Sequence, residues 1–236
     1  MHFRRLRILG YHNVGNASAI DPLPQLYVTA ADFERQMGLL QRLGLRGVTL
    51  TQGLASLREG KRLDCVAITF DDGYADNLQL ALPILLKFGF QATCYFVSRR
   101  LGLHNTWDAE RGGAHKALMS IEQLQQWQAA GMEVGSHTAT HIRLDQLDRV
   151  LAPEEIDGSR AQLKQITGSE IAGFCYPFGR YDERTLAQVR AAGYRSAATT
   201  RPGAASRSSD PFQLPRIFVG NGCNRLKFAA KLLLAR

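Results

Sequence analysis

The stretch Cys65-Val-Ala-Ile-Thr-Phe-Asp-Asp-Gly-Tyr74 decides how the chain reads. Residues 65–70 form a short, almost continuously apolar run, the composition of a parallel strand covered on both faces in an α/β protein. At its C-terminal end stand two adjacent carboxylates, Asp71 and Asp72, followed by Gly73, where the chain can turn. Neighbouring side chains at a strand end point in different directions, so two acids there suit two tasks. One can ligate a metal; the other, kept ionised beside that charge, can accept a proton. Strand C-termini are also where α/β barrels place their active sites. The competing reading is that both acids cap the helix that follows, because acids favour its first turn.

Outward from this strand, short β-type runs alternate with helical patterns. Strands are expected at 7–11, 91–97, 132–136, 171–176, 194–199 and 213–219. Helices are expected at 30–43 with Thr29 as N-cap, at 77–88 despite Pro83, and from Ser120, which with Gln123 forms a capping box, to Gly131. Further helices are expected at 153–166, 181–192 and 224–235. This alternation implies parallel strands with helices outside, and 236 residues suit one domain of that kind, spanning 1–236. The longest irregular stretch, 98–119, holds His104, Trp107, Asp108 and His115; loops of that length inside compact domains are often functional.

Hydrophobic residues make up 45% and charged residues 21%, which excludes a disordered chain. The formal net charge of +8 is unevenly placed. From Arg184 onward ten basic residues face one acid, Asp210, giving +9, so the preceding 183 residues carry −1. Such a patch suits an anionic membrane or an anionic substrate. Nucleic acid is disfavoured, since no recognised motif or aromatic–basic interleaving accompanies the charge. Cys65, Cys94, Cys175 and Cys223 show no short spacing, which argues against a disulfide framework or a zinc ribbon. No run approaches about eighteen apolar residues and no secretory h-region follows the basic N-terminus. The sequence therefore reads as cytoplasmic or peripheral at the inner membrane face, with export left open.

Two further segments carry chemistry. In Ser136-His-Thr-Ala-Thr-His141, histidines at i and i+4 are expected on one side of a helical turn, both reaching one ion. No Glu follows His137, so this is not the H-E-x-x-H metalloprotease arrangement. Two imidazoles and a carboxylate leave coordination positions open for water and substrate. In Phe174-Cys-Tyr-Pro-Phe-Gly-Arg180, a turn after another buried strand exposes backbone N–H groups suited to an oxyanion, although a plain βα turn reads the same way.

Taken in order, Thr69-Phe-Asp-Asp-Gly73, Ser136-His-Thr-x-x-His141 and Tyr176-Pro-Phe-Gly179 resemble the motifs of the polysaccharide deacetylases. This is the carbohydrate esterase family of nodulation-type chitooligosaccharide deacetylase domains, which includes chitin, peptidoglycan and poly-N-acetylglucosamine deacetylases. The resemblance covers nearly the whole chain. It implies a distorted (β/α) barrel of seven or eight parallel strands and a divalent metal, usually zinc. Asp72, His137 and His141 would be the metal ligands and Asp71 the catalytic base. Tyr176, Pro177 and Phe178 would form the oxyanion turn, with Trp107 against the substrate.

The sequence departs from that pattern twice. Cys175 stands where the third motif often has an Arg, and Gln213-Leu-Pro-Arg-Ile217 stands where the fifth often supplies a His. Both departures resemble the subgroup acting on exopolysaccharide or lipid-linked sugars. His12, in Gly10-Tyr-His-Asn13 after the first strand, is the candidate acid, and Arg216 the candidate to hold Asp71 through its guanidinium fork. The alternative is a turn-capping His12 and a structural Arg216. At the level of function, the resemblance implies an N-deacetylase acting on an N-acetylated glycan. The alternatives are a catalytically impaired glycan-binding module and an amide hydrolase acting on a non-sugar substrate. The basic, apolar segment 224–236 is expected either to pack as a last helix or to meet a membrane surface or lipid carrier.

Overall fold

The computed structural model describes residues 2–18, 21–60, 62–108, 112, 115–148 and 151–235. Its strands are β1 (Ile8–Tyr11), β2 (Asn13–Val14), β3 (Tyr27–Val28), β4 (Arg46–Val48), β5 (Cys65–Phe70), β6 (Thr93–Phe96), β7 (Glu133–Ser136), β8 (Gly173–Cys175), β9 (Ser196–Pro202) and β10 (Leu214–Phe218). The helices are α1 (Ala30–Arg42), α2 (Leu50–Arg58), α3 (Leu82–Lys87), α4 (Ile121–Ala129), α5 (Ser159–Thr167), α6 (Glu183–Ala191) and α7 (Arg225–Leu234).

Seven parallel strands close a barrel in the order β1-β10-β9-β8-β7-β6-β5, and β5 returns to β1 in the register Ile8↔Ala67 to Tyr11↔Phe70. The eighth strand of the sheet is a wedge outside the closed ring. β4 pairs with the first half of β5 (Arg46↔Cys65 to Val48↔Ala67), while β6 pairs only with its last two residues. Gly47 makes the wedge possible, because a Cβ there would lie 2.6 Å from Ile68 Cδ1 and 2.7 Å from Phe90 Cδ2. β5 is buried at all six positions, as a strand sheathed on both faces must be. The expected α/β barrel is thus the architecture found.

The sequence reading passed over β4 and α2, although Thr49 and Gln52 form a reciprocal capping box at the start of that helix. It also merged two different backbones at Pro83. A π-helical turn at Asn77–Ala81 precedes α3, and Pro83 falls in the first turn of α3, where its missing N–H costs nothing. A second π turn, Glu154–Gly158, opens the helical segment that continues as α5. Among the described residues no helix is long and apolar enough to cross a membrane.

Candidate active site

Five barrel strands deliver functional side chains to one end. β5 ends at Asp71 and Asp72, β7 at His137, β1 at His12 and β8 at Tyr176, while Arg216 points inward from within β10. All of these but Arg216, which lies buried behind Asp71, line a cleft of about 150 Å³ whose wall also includes Trp107, Asp108, His141, Phe178 and Thr200. This is the C-terminal end of the barrel, where loops vary freely over a rigid scaffold.

The two adjacent aspartates do not cap a helix; they face different partners. Both oxygens of Asp71 are gripped by the Arg216 fork, Nη1 to Oδ1 and Nη2 to Oδ2, each at 2.7 Å. Arg216 is itself fixed by Nε donating to Thr199 O at 2.8 Å and by Nη1 donating to Thr69 Oγ1 at 3.2 Å. Its guanidinium lies across Gly10, where a Cβ would stand 3.4 Å from Nη1, and it donates to the Cys175 sulfur at 3.2 Å. The position from which the family's usual Arg would come therefore holds a small thiol beside an Arg that arrives from another strand. Burial pushes the Asp71 carboxyl pKa upward, but the guanidinium outweighs it and holds the group at about 2. His12 Nε2 lies 3.8 Å from Asp71 Oδ2 on the open side of the cleft.

Asp72 turns the other way. Its Oδ1 lies 3.3 Å from His137 Nε2 and 3.1 Å from His141 Nε2. His137 Nδ1 sits 2.7 Å from the Cys175 carbonyl, which can only accept. That nitrogen therefore carries the proton, and in the neutral ring Nε2 presents a lone pair to a carboxylate oxygen that has no hydrogen-bond partner. These three ligand atoms lie within 4.8 Å of one another, all on buried residues, and with both imidazoles neutral the group could hold a divalent cation.

The two histidines do not ride on a helical turn, contrary to what their spacing suggests. Thr138 and His141 adopt φ of 68° and 65°, and the turn closes through His141 N–H donating to Thr138 Oγ1 at 2.9 Å. Asp72 (72°) and Phe178 (58°) are the other described non-glycine residues with positive φ. All four belong to this site, and each costs on the order of 1 kcal/mol, so the strain is concentrated where geometry matters. A residue the sequence reading missed holds the histidine turn. Buried Glu155, from the second π turn, accepts from Ala139 N at 3.0 Å, Thr140 N at 2.9 Å and Thr140 Oγ1 at 2.7 Å. In sequence it is one acid in a Glu-Glu pair at a helix start, indistinguishable from a solvated one.

The remaining candidates fall as follows. Trp107 stacks on the His141 ring with centroids 4.1 Å apart, and Phe178 meets the same ring edge-on at 4.7 Å. Tyr176 lines the cleft while its hydroxyl donates to Phe212 O at 3.1 Å. Pro177 is buried beneath the turn and is not brought into the cleft wall. Asp108, whose carboxyl is raised by burial and by Asp72, accepts from Asn105 Nδ2 at 2.9 Å.

A parallel barrel carrying an Asp-His-His group and an Arg-held aspartate at its mouth defines a class of hydrolytic deacetylases, and sequence comparison reaches the same class. The polysaccharide deacetylase family model matches residues 58–197. YxkH of Bacillus subtilis, which carries the polysaccharide deacetylase name, is 32% identical over 228 residues, 96% of this chain and 75% of that protein. The poly-β-1,6-N-acetyl-D-glucosamine N-deacetylase of Staphylococcus epidermidis is 24% identical over 204 residues, covering 82% of this chain and 68% of its own. The fold is shared with the Streptococcus pyogenes deacetylase PplD, solved with acetate (TM-score 0.83, 24% identity, 96% of this chain and 97% of that one). It is also shared with IcaB from Ammonifex degensii (TM-score 0.81, 24% identity, 96% of each). The chain belongs to the polysaccharide deacetylase family.

Proposed function

We propose that the chain is a metal-dependent N-deacetylase that hydrolyses the acetamide of an N-acetylated sugar in a polysaccharide or lipid-linked glycan. The observation that carries this reading is the convergence of Asp72, His137 and His141 beside an aspartate kept ionised by Arg216. A binding module has no use for an ionised base, which weighs against the impaired-enzyme alternative. The Staphylococcus epidermidis relative supports an N-acetylglucosamine polymer as the substrate class. The catalytic unit is the whole barrel, 1–236, because β1 brings His12 and β10 brings Arg216 from outside the matched 58–197.

Asp72, His137 and His141 would hold a divalent cation, zinc foremost given two imidazoles and one carboxylate. Such an ion supplies Lewis acidity toward the acetyl carbonyl and toward water. Asp71 takes the proton of the attacking water. Arg216 fixes the plane of that carboxylate and keeps it charged. The left-handed turn at Phe178 directs backbone donors toward the developing oxyanion. His12 protonates the leaving sugar amine, since an amide nitrogen cannot depart as an anion. Water and amide are converted to acetate and a free amine. The small cleft, about five waters in volume, admits the acetyl group and leaves the sugar ring at the mouth, where Trp107 closes one side.

The test is acetate release from a panel of N-acetylated glycans and lipid-linked sugars, with and without a chelator, and with zinc restored. Release that chelation abolishes and zinc restores supports the reading. No release from any substrate by zinc-loaded protein would make the barrel a binding module.

A further inference from the structure

Helix α7 has two apolar faces, and the barrel covers only one of them. At about 100° per residue, Phe228, Leu232 and Ala235 share the side turned to the barrel. There α7 packs against α1, and Arg7 donates to Leu232 O at 3.1 Å and to Ala235 O at 3.2 Å. The opposite side, an arc of roughly 100°, carries Leu226, Ala230, Leu233 and Leu234, while Ala229 at its edge is partly buried against the core. Leu226 is 80% exposed, Leu233 55% and Leu234 75%, and Phe218, 43% exposed, lies beside the helix under Lys231. Three leucines on one outward arc is not the pattern of a solvated helix face, which is polar.

The charges along the edges say what covers this face. Lys227 and Lys231 flank it on one side and Arg225 on the other, and α7 contains no acidic residue. Among the described residues none of these three cations pairs with a carboxylate, and Asp32 on neighbouring α1 is taken by Arg35. A second copy docked symmetrically here would set these cations against one another. A surface that is apolar within and anionic at its boundary satisfies leucines and cations together.

We propose that the outer face of α7 is a docking surface for an anionic phospholipid bilayer. The helix lies in the headgroup plane with Leu226, Leu233 and Leu234 inserted and Lys227, Lys231 and Arg225 among the phosphates. The geometry fixes the orientation of the enzyme. α7 starts beside the cleft, because Asn221 N donates to Gln25 O at 3.2 Å and Gln25 lines the cleft; it ends at Arg7, at the closed end of the barrel. With α7 on the bilayer, the cleft opens alongside the membrane rather than into it, toward a glycan held close to the surface.

The experiment is sedimentation of the full chain with phosphatidylcholine vesicles and with vesicles containing phosphatidylglycerol, across a salt series, together with Leu226→Glu/Leu234→Glu and Lys227→Gln/Lys231→Gln. The parent is expected to sediment with the anionic vesicles only, and less as salt rises. The leucine pair is expected to lower the partition coefficient by about tenfold or more, and the lysine pair by about fivefold per charge. All six positions of the substituted and flanking residues lie outside the proposed catalytic machinery, so acetate release from a soluble glycan stays at the parent level; this readout separates failure of the docking surface from failure of the enzyme reading. Equal binding to neutral and anionic vesicles, no binding to either, or binding unaffected by the leucine pair overturns the proposal. So does a concentration-dependent dimer that the leucine pair dissolves, because a second copy would then be the occupant.

Discussion

The two ends of this barrel treat charge in opposite ways. At the C-terminal mouth, Asp71, Asp72, His137, His141 and Arg216 are buried, and the four left-handed non-glycine residues cluster around them. At the N-terminal end, Phe3 pairs with Leu63 and Leu6 with Ala205 in single antiparallel bridges over a buried apolar floor. There Arg4, Arg5, Arg62 and Arg207 lie exposed in water. One end spends stability to hold charges in a low-dielectric setting; the other leaves these four solvated, where they cost and contribute little, and buries Arg7 only with its guanidinium bonded to the Arg5, Leu232 and Ala235 carbonyls. The difference identifies the working end of the molecule without reference to any relative.

The sharpest way to break this contrast is at Asp71. Asp71→Asn keeps the shape of the side chain but removes the proton acceptor, and acetate release should fall by roughly 10²–10⁴-fold with bound zinc unchanged by elemental analysis. A fall of less than about tenfold with zinc still bound would remove Asp71 from the mechanism. Arg216→Met tests the same pair from the other side. It leaves a buried carboxylate without its cation, a loss of about 3–5 kcal/mol at neutral pH by urea unfolding. The pH dependence follows from the sign of the shift. Asp71 is held at about 2, below an ordinary carboxyl, so the pair adds stability above about pH 4 that is lost as pH falls toward 2. In Arg216→Met the unpaired carboxylate gains by protonation, so the deficit relative to the parent should shrink on acidification. A deficit that is constant from pH 7 to pH 4 would show that Arg216 acts through packing alone.

Glu155 probes how far the demands of the mouth reach into the scaffold. Glu155→Gln puts an amide N–H₂ where one carboxylate oxygen now accepts, against donors from Ala139, Thr140 or the Thr140 hydroxyl. The histidine turn should loosen, and zinc affinity should drop about 10–100-fold by competition with a chelator, with helix content by circular dichroism preserved. Unaltered zinc affinity would make Glu155 a purely structural residue.

Legibility in the sequence divides along the same line. The barrel was readable because its signals are local: a six-residue apolar run at 65–70, the capping residue Thr29, the box Ser120–Gln123. The site segments were readable because Asp71-Asp72 and His137/His141 carry their chemistry within a few residues of one another. What could not be read was whatever joins distant positions through a backbone that breaks the regular pattern. The i, i+4 spacing of the histidines suggested a helix, and two left-handed residues achieve the convergence instead. Glu155 reaches the site from a π turn whose register differs from that of an α-helix. Leu226, Leu233 and Leu234 were visible as apolar residues, but only the docked helix shows that they lie on the uncovered side. β4 escaped because a three-residue strand containing an essential glycine has almost no periodicity to detect.

The smallest expected effect completes the comparison. Arg62 and Arg207 at the closed end are exposed, and Arg207 makes one hydrogen bond, to Arg58 O at 3.2 Å. Removing a solvated charge with no carboxylate partner sacrifices little Coulomb energy and relieves some repulsion in a region of excess positive charge. Arg62→Ala and Arg207→Ala should therefore each change unfolding free energy by no more than about 0.5 kcal/mol and leave acetate release at the parent level. The same side chain, moved from the closed end to β10, is expected to cost several times as much when truncated, because Arg216 has a buried carboxylate to neutralise and these two, among the described residues, have none. If Arg207→Ala lowered turnover while stability held, the solvated end would be coupled to the cleft, and the division between a working mouth and a passive floor would fail.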